Sequence, residues 1–315
     1  MIKNRSKNET EDFTIKDCFT NETEIFEIEC EELIRYQEDK EKELDLLAHY
    51  ISQETNVPKS SIFTGEFNCR IENWHKVDGE YYYFKPMNYY LSFFNELLGE
   101  VISQYFDLDT VHYKIAKLKV KGEEDQYGIV SKNFCSPKYT YKTLFDYIRE
   151  TDGLDIFEED LSIIDKIKVI CKSEQEFRLL QDDLKKMFIR HFYNAQGDGN
   201  GHNIFLVNKP DGIRLAPLLD YAFAYIGYDN LHRCLWDIGE LDVTNPKTIN
   251  LFRNDFRFQE LLYKLMDANM NTFISKVEDS FKIKVPSEDK NHYIKYEARI
   301  KELVLENNLI NKQAS

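Results

Sequence analysis

Apolar and polar positions alternate in two rhythms along the first half of the chain. Over residues 88–105, NYYLSFFNELLGEVISQY, the apolar positions Tyr90, Phe94, Leu97, Val101 and Tyr105 recur at spacings of three and four. That rhythm predicts an amphipathic helix. Glu96 stands at the flank of the apolar stripe, where it can point toward a sheet. On either side the pattern shortens to strand length. SSIFTGEFNCRI (60–71) and YYYFKPM (81–87) read as the arms of a hairpin with ENWHKVDGE between them, Asp78-Gly79 marking the turn and Lys85 at the far end. Two more strands, Tyr113–Val120 and Gln126–Lys132, follow the helix.

NFCSPKY (133–139) then reads as a linker, and the chain beyond it as mainly helical: TYKTLFDYI, LSIIDKIKVICK and EQEFRLLQDDLKKMFIRHFYNA in succession. Residues 248–307 are again helically periodic, through Phe252, Phe256, Leu261, Leu265, Phe273 and Val277. Residues 1–55 are rich in charge, and Leu33, Ile34, Leu44, Leu47, Ala48 and Ile51 have partly helical spacing. They are expected to form a helical extension of one or two helices packed on the first lobe.

One segment of the helical half departs from this texture. Residues 197–220 read GDGNGHNIFLVNKPDGIRLAPLLD: a glycine-rich loop, an apolar run, a turn and a second apolar run. Folding an antiparallel hairpin about Pro210 and Asp211 sets Asn203 opposite about Leu218, which brings Asn203 and Asp220 together at the open end with Asp198 just outside. Two hard oxygen ligands beside a third carboxylate suit Mg²⁺. Phosphoryl transfer needs a loop aspartate to accept the hydroxyl proton, an asparagine on the metal, and a second aspartate between metal and phosphates. The plainer reading is two surface turns and a helix cap, since Gly, Asn and Asp are turn residues anyway.

The first half supplies what that chemistry lacks. A strand lysine (Lys85), a helical glutamate (Glu96, with Glu100 one turn on as its rival) and two further strands follow in the order of a kinase N-lobe, where such an ion pair holds nucleotide phosphates. A glycine-rich phosphate loop is absent; Ser60, Ser61, Thr64 and Gly65 are the candidates for that contact, and the three hydroxyls are candidate autophosphorylation sites. Ser131, Asn133 and Phe134, at the linker, are expected to face the base. The expected fold is α+β and two-lobed, with a small β-rich N-lobe with one main helix over 56–134 and a larger mostly helical C-lobe over 135–315.

Composition narrows the field. The chain has 315 residues, 14% of them aromatic, and a formal charge of −15. That charge argues against a nucleic-acid footprint, which needs a basic patch. Six scattered cysteines without a C-x-x-C pair suggest neither a zinc site nor a disulfide framework. No run of about 18 apolar residues and no signal-peptide core is present. A cytoplasmic protein without membrane contact is expected, with export by a route lacking a cleaved signal left open.

YFKP before the helix, NELL around Glu96, FYNAQGDGNGHNIFLV and RLAPLLDYAFAY together resemble the HipA-like serine/threonine kinases, including the shorter CtkA-type members, over residues 60–240. The resemblance implies ATP and Mg²⁺ as cofactors, Asp198 as catalytic base, Asn203 and Asp220 as metal ligands, Lys85 on the α/β-phosphates and Glu96 as its brace. It also implies a protein substrate, the chain itself included. In those relatives a histidine commonly stands two residues after the base; here Asn200 holds that place and His202 precedes Asn203. Aminoglycoside and choline phosphotransferases share the Asp-x4-Asn spacing, so a small-molecule acceptor remains an alternative, and a nucleotide-binding pseudokinase is another.

Overall fold

The computed structural model describes residues 14–31, 37–62, 71–87, 90–144, 146–147, 173–194, 204–219, 233–236 and 239–311. Asp198, Asn203, Asp220, Thr64 and Gly65 lie outside them, as does the expected helix LSIIDKIKVICK.

The upper lobe is a sheet of five strands: β1 (Phe26–Cys30), β2 (Trp74–Val77), β3 (Glu80–Pro86), β4 (Tyr113–Val120) and β5 (Gln126–Lys132), in the spatial order β1-β4-β5-β3-β2. The turn between β2 and β3 is Asp78-Gly79, both left-handed with φ of 51° and 83°. That is the two-residue turn that matches strand twist, which Asp-Gly forms readily. A turn that tight needs the arms to be contiguous, so the first arm is WHKV rather than the expected SSIFTGEFNCRI. At the two ends of that stretch, 59–61 and 71–73 are single 3₁₀ turns.

Two other expectations are corrected. Residues 1–55 are not purely helical: FEIEC is a strand, paired in parallel with β4. Glu27 on it lies 2.7 Å from both Lys117 and Lys119, so part of this charge-rich segment forms a cross-strand ladder. TYKT, read as the start of a helix, is strand β6 (Thr140–Thr143), recruited by a partner distant in sequence, β7 (Phe205–Lys209).

Helix α1 (Glu41–Thr55) does form, but its apolar stripe of Leu44, Ala48 and Ile51 packs with Cys135, Phe205 and Val207. Trp74 and Tyr81 join the same cluster, so α1 sits at the junction of the lobes and not on the upper lobe alone. It ends at Asn56, left-handed at φ 60°, whose side chain donates to the carbonyls of Ser136 at 2.9 Å and Tyr139 at 2.5 Å on the linker. Asn133 returns the contact by donating to Thr55 O at 2.8 Å.

Helix α2 (Tyr90–Tyr105) is buried on nearly every side, its polar Asn95, Glu96, Glu100 and Ser103 included, and lies at the centre of the main core, between the sheet and the lower lobe. The lower lobe comprises α3 (Glu174–Tyr193), β6, β7, β8 (Gly212–Leu215), a short hairpin of β9 (Arg233–Trp236) and β10 (Gly239–Asp242), and the helices α4 (Pro246–Asn254), α5 (Phe256–Asp267), α6 (Met270–Phe281) and α7 (Ser287–Glu306). Arg214 on β8 forms a fork with Asp183 of α3, at 2.9 and 3.1 Å, which fixes the hairpin to that helix.

Two further main-chain contacts join the lobes. Leu218, just past β8, is bridged to the segment entering β4: its N–H donates to Asp109 O at 2.9 Å and its carbonyl accepts from Val111 N at 3.0 Å. Near the N-terminus, Phe19 pairs with Ile283 and Cys18 O accepts from Lys284 N at 2.8 Å. Among the described residues no helix is long and apolar enough to cross a membrane.

Candidate active site

The register of the sheet decides which side chains meet. Lys85 stands opposite Ile129, Tyr83 opposite Ser131, Trp74 opposite Tyr83, and Tyr113 opposite Ser131. Residues directly opposite one another share a face. Trp74, Tyr83, Lys85, Tyr113, Ile129 and Ser131 therefore project together, and they roof a cleft between the lobes. Val57 and Ser61, beyond the end of α1, close one side; Asn133 and Phe134 of the linker form another; Val111, Phe205 and Leu219 come from below.

At the inner end, Lys85 Nζ lies 2.5 Å from Glu96 Oε1, with Glu96 wholly buried on α2. The second carboxylate oxygen accepts from the Tyr113 hydroxyl at 2.9 Å, so both oxygens of the buried acid are engaged. Glu100, the rival, is committed elsewhere: it accepts from Tyr113 N at 3.1 Å and lies 2.9 Å from His112 Nδ1. One turn of helix thus separates an acid that faces the lysine from one that ties down the start of β4. The lysine's own strand is held close by Gly128, where a Cβ would fall 2.1 Å from Lys85 O.

The hydroxyls expected to cover phosphates divide. Ser60 Oγ donates to Asp146 Oδ2 at 2.6 Å and so serves as a tie to the lower lobe. Ser61 is buried against the cleft. Ser131 also faces the cleft. Asn133 lines it, yet its side chain is engaged with Thr55 O and with Cys135 N, at 2.8 and 3.1 Å, which makes it a brace of the linker. Phe134 stands edge-on to Phe205 at 5.8 Å and supplies an aromatic wall.

The lower hairpin has the register read from its turn. Lys209 pairs with Gly212 and Leu206 with Leu215, and Ala216 N donates to Phe205 O at 2.8 Å. The described arms end at Ile204 and Leu219, each one residue short of Asn203 and Asp220. Trp74, Val57 and Tyr113 went unnoticed as site residues. Counting back from Asp78-Gly79 as a two-residue turn would have found Trp74, since it places Trp74 opposite Tyr83.

A five-stranded sheet carrying one central helix, a linker, and a larger helical lobe with its own hairpin make a two-lobed protein-kinase-like fold. The crystal structure of CtkA, a proinflammatory kinase of Helicobacter pylori, is similar at a TM-score of 0.53 and 13% identity, over 74% of this chain and 88% of that one. HipA, in a toxin–antitoxin complex with HipB and operator DNA from Shewanella oneidensis MR-1, matches at a TM-score of 0.38 and 11% identity, over 85% and 66%. No protein-family model and no curated protein matches the chain.

Proposed function

We propose that this chain is a HipA-like kinase that transfers the γ-phosphate of Mg·ATP to a serine or threonine hydroxyl of a protein, itself included. The observation that carries this reading is the closed Lys85–Glu96 pair, 2.5 Å long and braced by Tyr113, at the inner end of an interlobe cleft. A lysine held by a buried helical glutamate at the inner end of an interlobe cleft is the arrangement by which kinases present a cation to nucleotide phosphates.

The lining suits a nucleotide, with a cation at one end and apolar side chains from both lobes elsewhere. Asn203 and Asp220 each stand one residue beyond a described hairpin arm in sequence, and their side chains would supply the hard-oxygen donors that Mg²⁺ prefers. The metal, when bound, offsets charge on the phosphates. Lys85 holds the inner phosphates, Glu96 and Tyr113 hold Lys85, and Asp198 orients the acceptor hydroxyl and takes its proton.

The test is incubation with Mg·ATP followed by intact-mass measurement and peptide mapping, alongside Asp198→Asn. Phosphate on the wild type alone is expected, with transfer falling by about a hundredfold or more in the variant. Phosphate on an amino alcohol or aminoglycoside instead would overturn the protein-acceptor reading. Undiminished activity in Asp198→Asn would overturn the assignment of the base.

A further inference from the structure

Two polar atoms on the cleft have no hydrogen-bond partner among the described residues: Ser61 Oγ and Trp74 Nε1. Both atoms are buried, and Ser61 as a residue is only 8% exposed. Buried polar groups are nearly always paired, and an indole N–H can only donate. Two orphans on one cleft therefore mark a place where a ligand supplies the partners.

The register says which part of a ligand. Trp74 lies level with Tyr83 and Ser131, while Lys85 lies level with Ile129. Along β3 that is two residues toward the linker from the lysine, about 7 Å at the rise of a strand. Lys85 addresses the inner phosphates in the reading above, so the Trp74 level is that of the sugar and base. Ser61 approaches from the same side, following Val57 out of α1.

We propose that Trp74 and Ser61 are nucleoside-binding residues: the indole N–H donates to an acceptor atom of the ribose or the base, and the Ser61 hydroxyl completes the contact. This rests on the nucleotide reading of the cleft. It gives Trp74 a role on β2 beyond packing, although its ring also packs edge-on against Tyr83 at 5.4 Å.

Titration of Mg·ATP and of Mg·tripolyphosphate into the full chain separates the parts. Trp74→Phe keeps an aromatic ring and removes only the donor; Ser61→Ala removes the hydroxyl. Each is expected to weaken Mg·ATP about three- to tenfold and to leave Mg·tripolyphosphate unchanged. Unchanged Mg·ATP affinity in both variants overturns the proposal, as does an equal loss for both ligands. Lys85→Met tests the underlying reading separately, since it should weaken both ligands. If the wild type binds ATP but Lys85→Met binds both ligands normally, the phosphate reading fails, and the level assigned to Trp74 fails with it. Matching thermal unfolding of Trp74→Phe, Ser61→Ala and wild type excludes misfolding as the cause of a loss.

Discussion

At Gly128 the strands carrying the site come closer than any side chain allows. A methyl group there would meet a backbone carbonyl, which cannot swing aside as a side-chain tip can. Gly128→Ala is expected to cost about 3 kcal/mol in chemical denaturation and to displace Lys85. Tyr113→Phe makes the opposite kind of change. It removes the hydroxyl that donates to Glu96 but leaves the ring, so Mg·ATP affinity should fall about three- to tenfold while unfolding stability falls by about 1–3 kcal/mol. His75 gives the molecule an acid limit. Burial pushes its imidazole pKa down to about 4 from 6.5, and burial with the Arg190 charge pushes His191 down as well. A His whose folded pKa is depressed binds its proton more readily when unfolded, so stability is full above about pH 6.5 and is lost as pH falls toward 4. Unfolding midpoints measured across that window should slope steeply in the wild type and less in His75→Phe, with His75 contributing on the order of 3 kcal/mol.

Among the elements, the contact between the end of α1 and the linker is the one most open to test. Asn56→Gly keeps the left-handed backbone and removes both side-chain bonds to the linker, so a loss of about 1–2 kcal/mol isolates the clasp itself. Thermal unfolding of Asn56→Gly beside wild type measures it, and an unchanged midpoint would show the clasp to be idle. Elements with strong local signals were legible from the sequence. Helix α2 announced itself by its period, and the lower hairpin by a turn that fixes register outward from Pro210-Asp211. Lys85 and Glu96 could be paired because each sits on such an element. What stayed hidden was set by partners distant in the chain. FEIEC lies in a charged run and pairs in parallel with β4, without any turn to reveal it. TYKT is too short for its alternation to outweigh the helical texture after it. Ile62 and its neighbours looked like a strand because they are apolar, but 59–61 form a 3₁₀ turn and Ile62 packs with α1. Moving that strand out of place is what concealed Trp74.

For the molecule as a whole, the N-terminal segment matters more than its charge suggested. Ile15 and Cys18 lie in the main core, Thr20 donates to Lys282 O at 2.7 Å, and β1 then continues the sheet above. A chain beginning at residue 37 is expected to lose cooperative thermal unfolding, which calorimetry would register. The lobes also meet at three main-chain joints: the linker at 133–136, the bridge between Leu218 and Asp109–Val111, and the pairing of Phe19 with Ile283. A door hung on one pin can swing and tilt in any direction, and each further pin takes a freedom away. To turn one lobe on the other about the linker alone would break the hydrogen bonds at Leu218 and at Lys284. Leu219, immediately after the second joint, is thereby tied to both jaws of the cleft it lines.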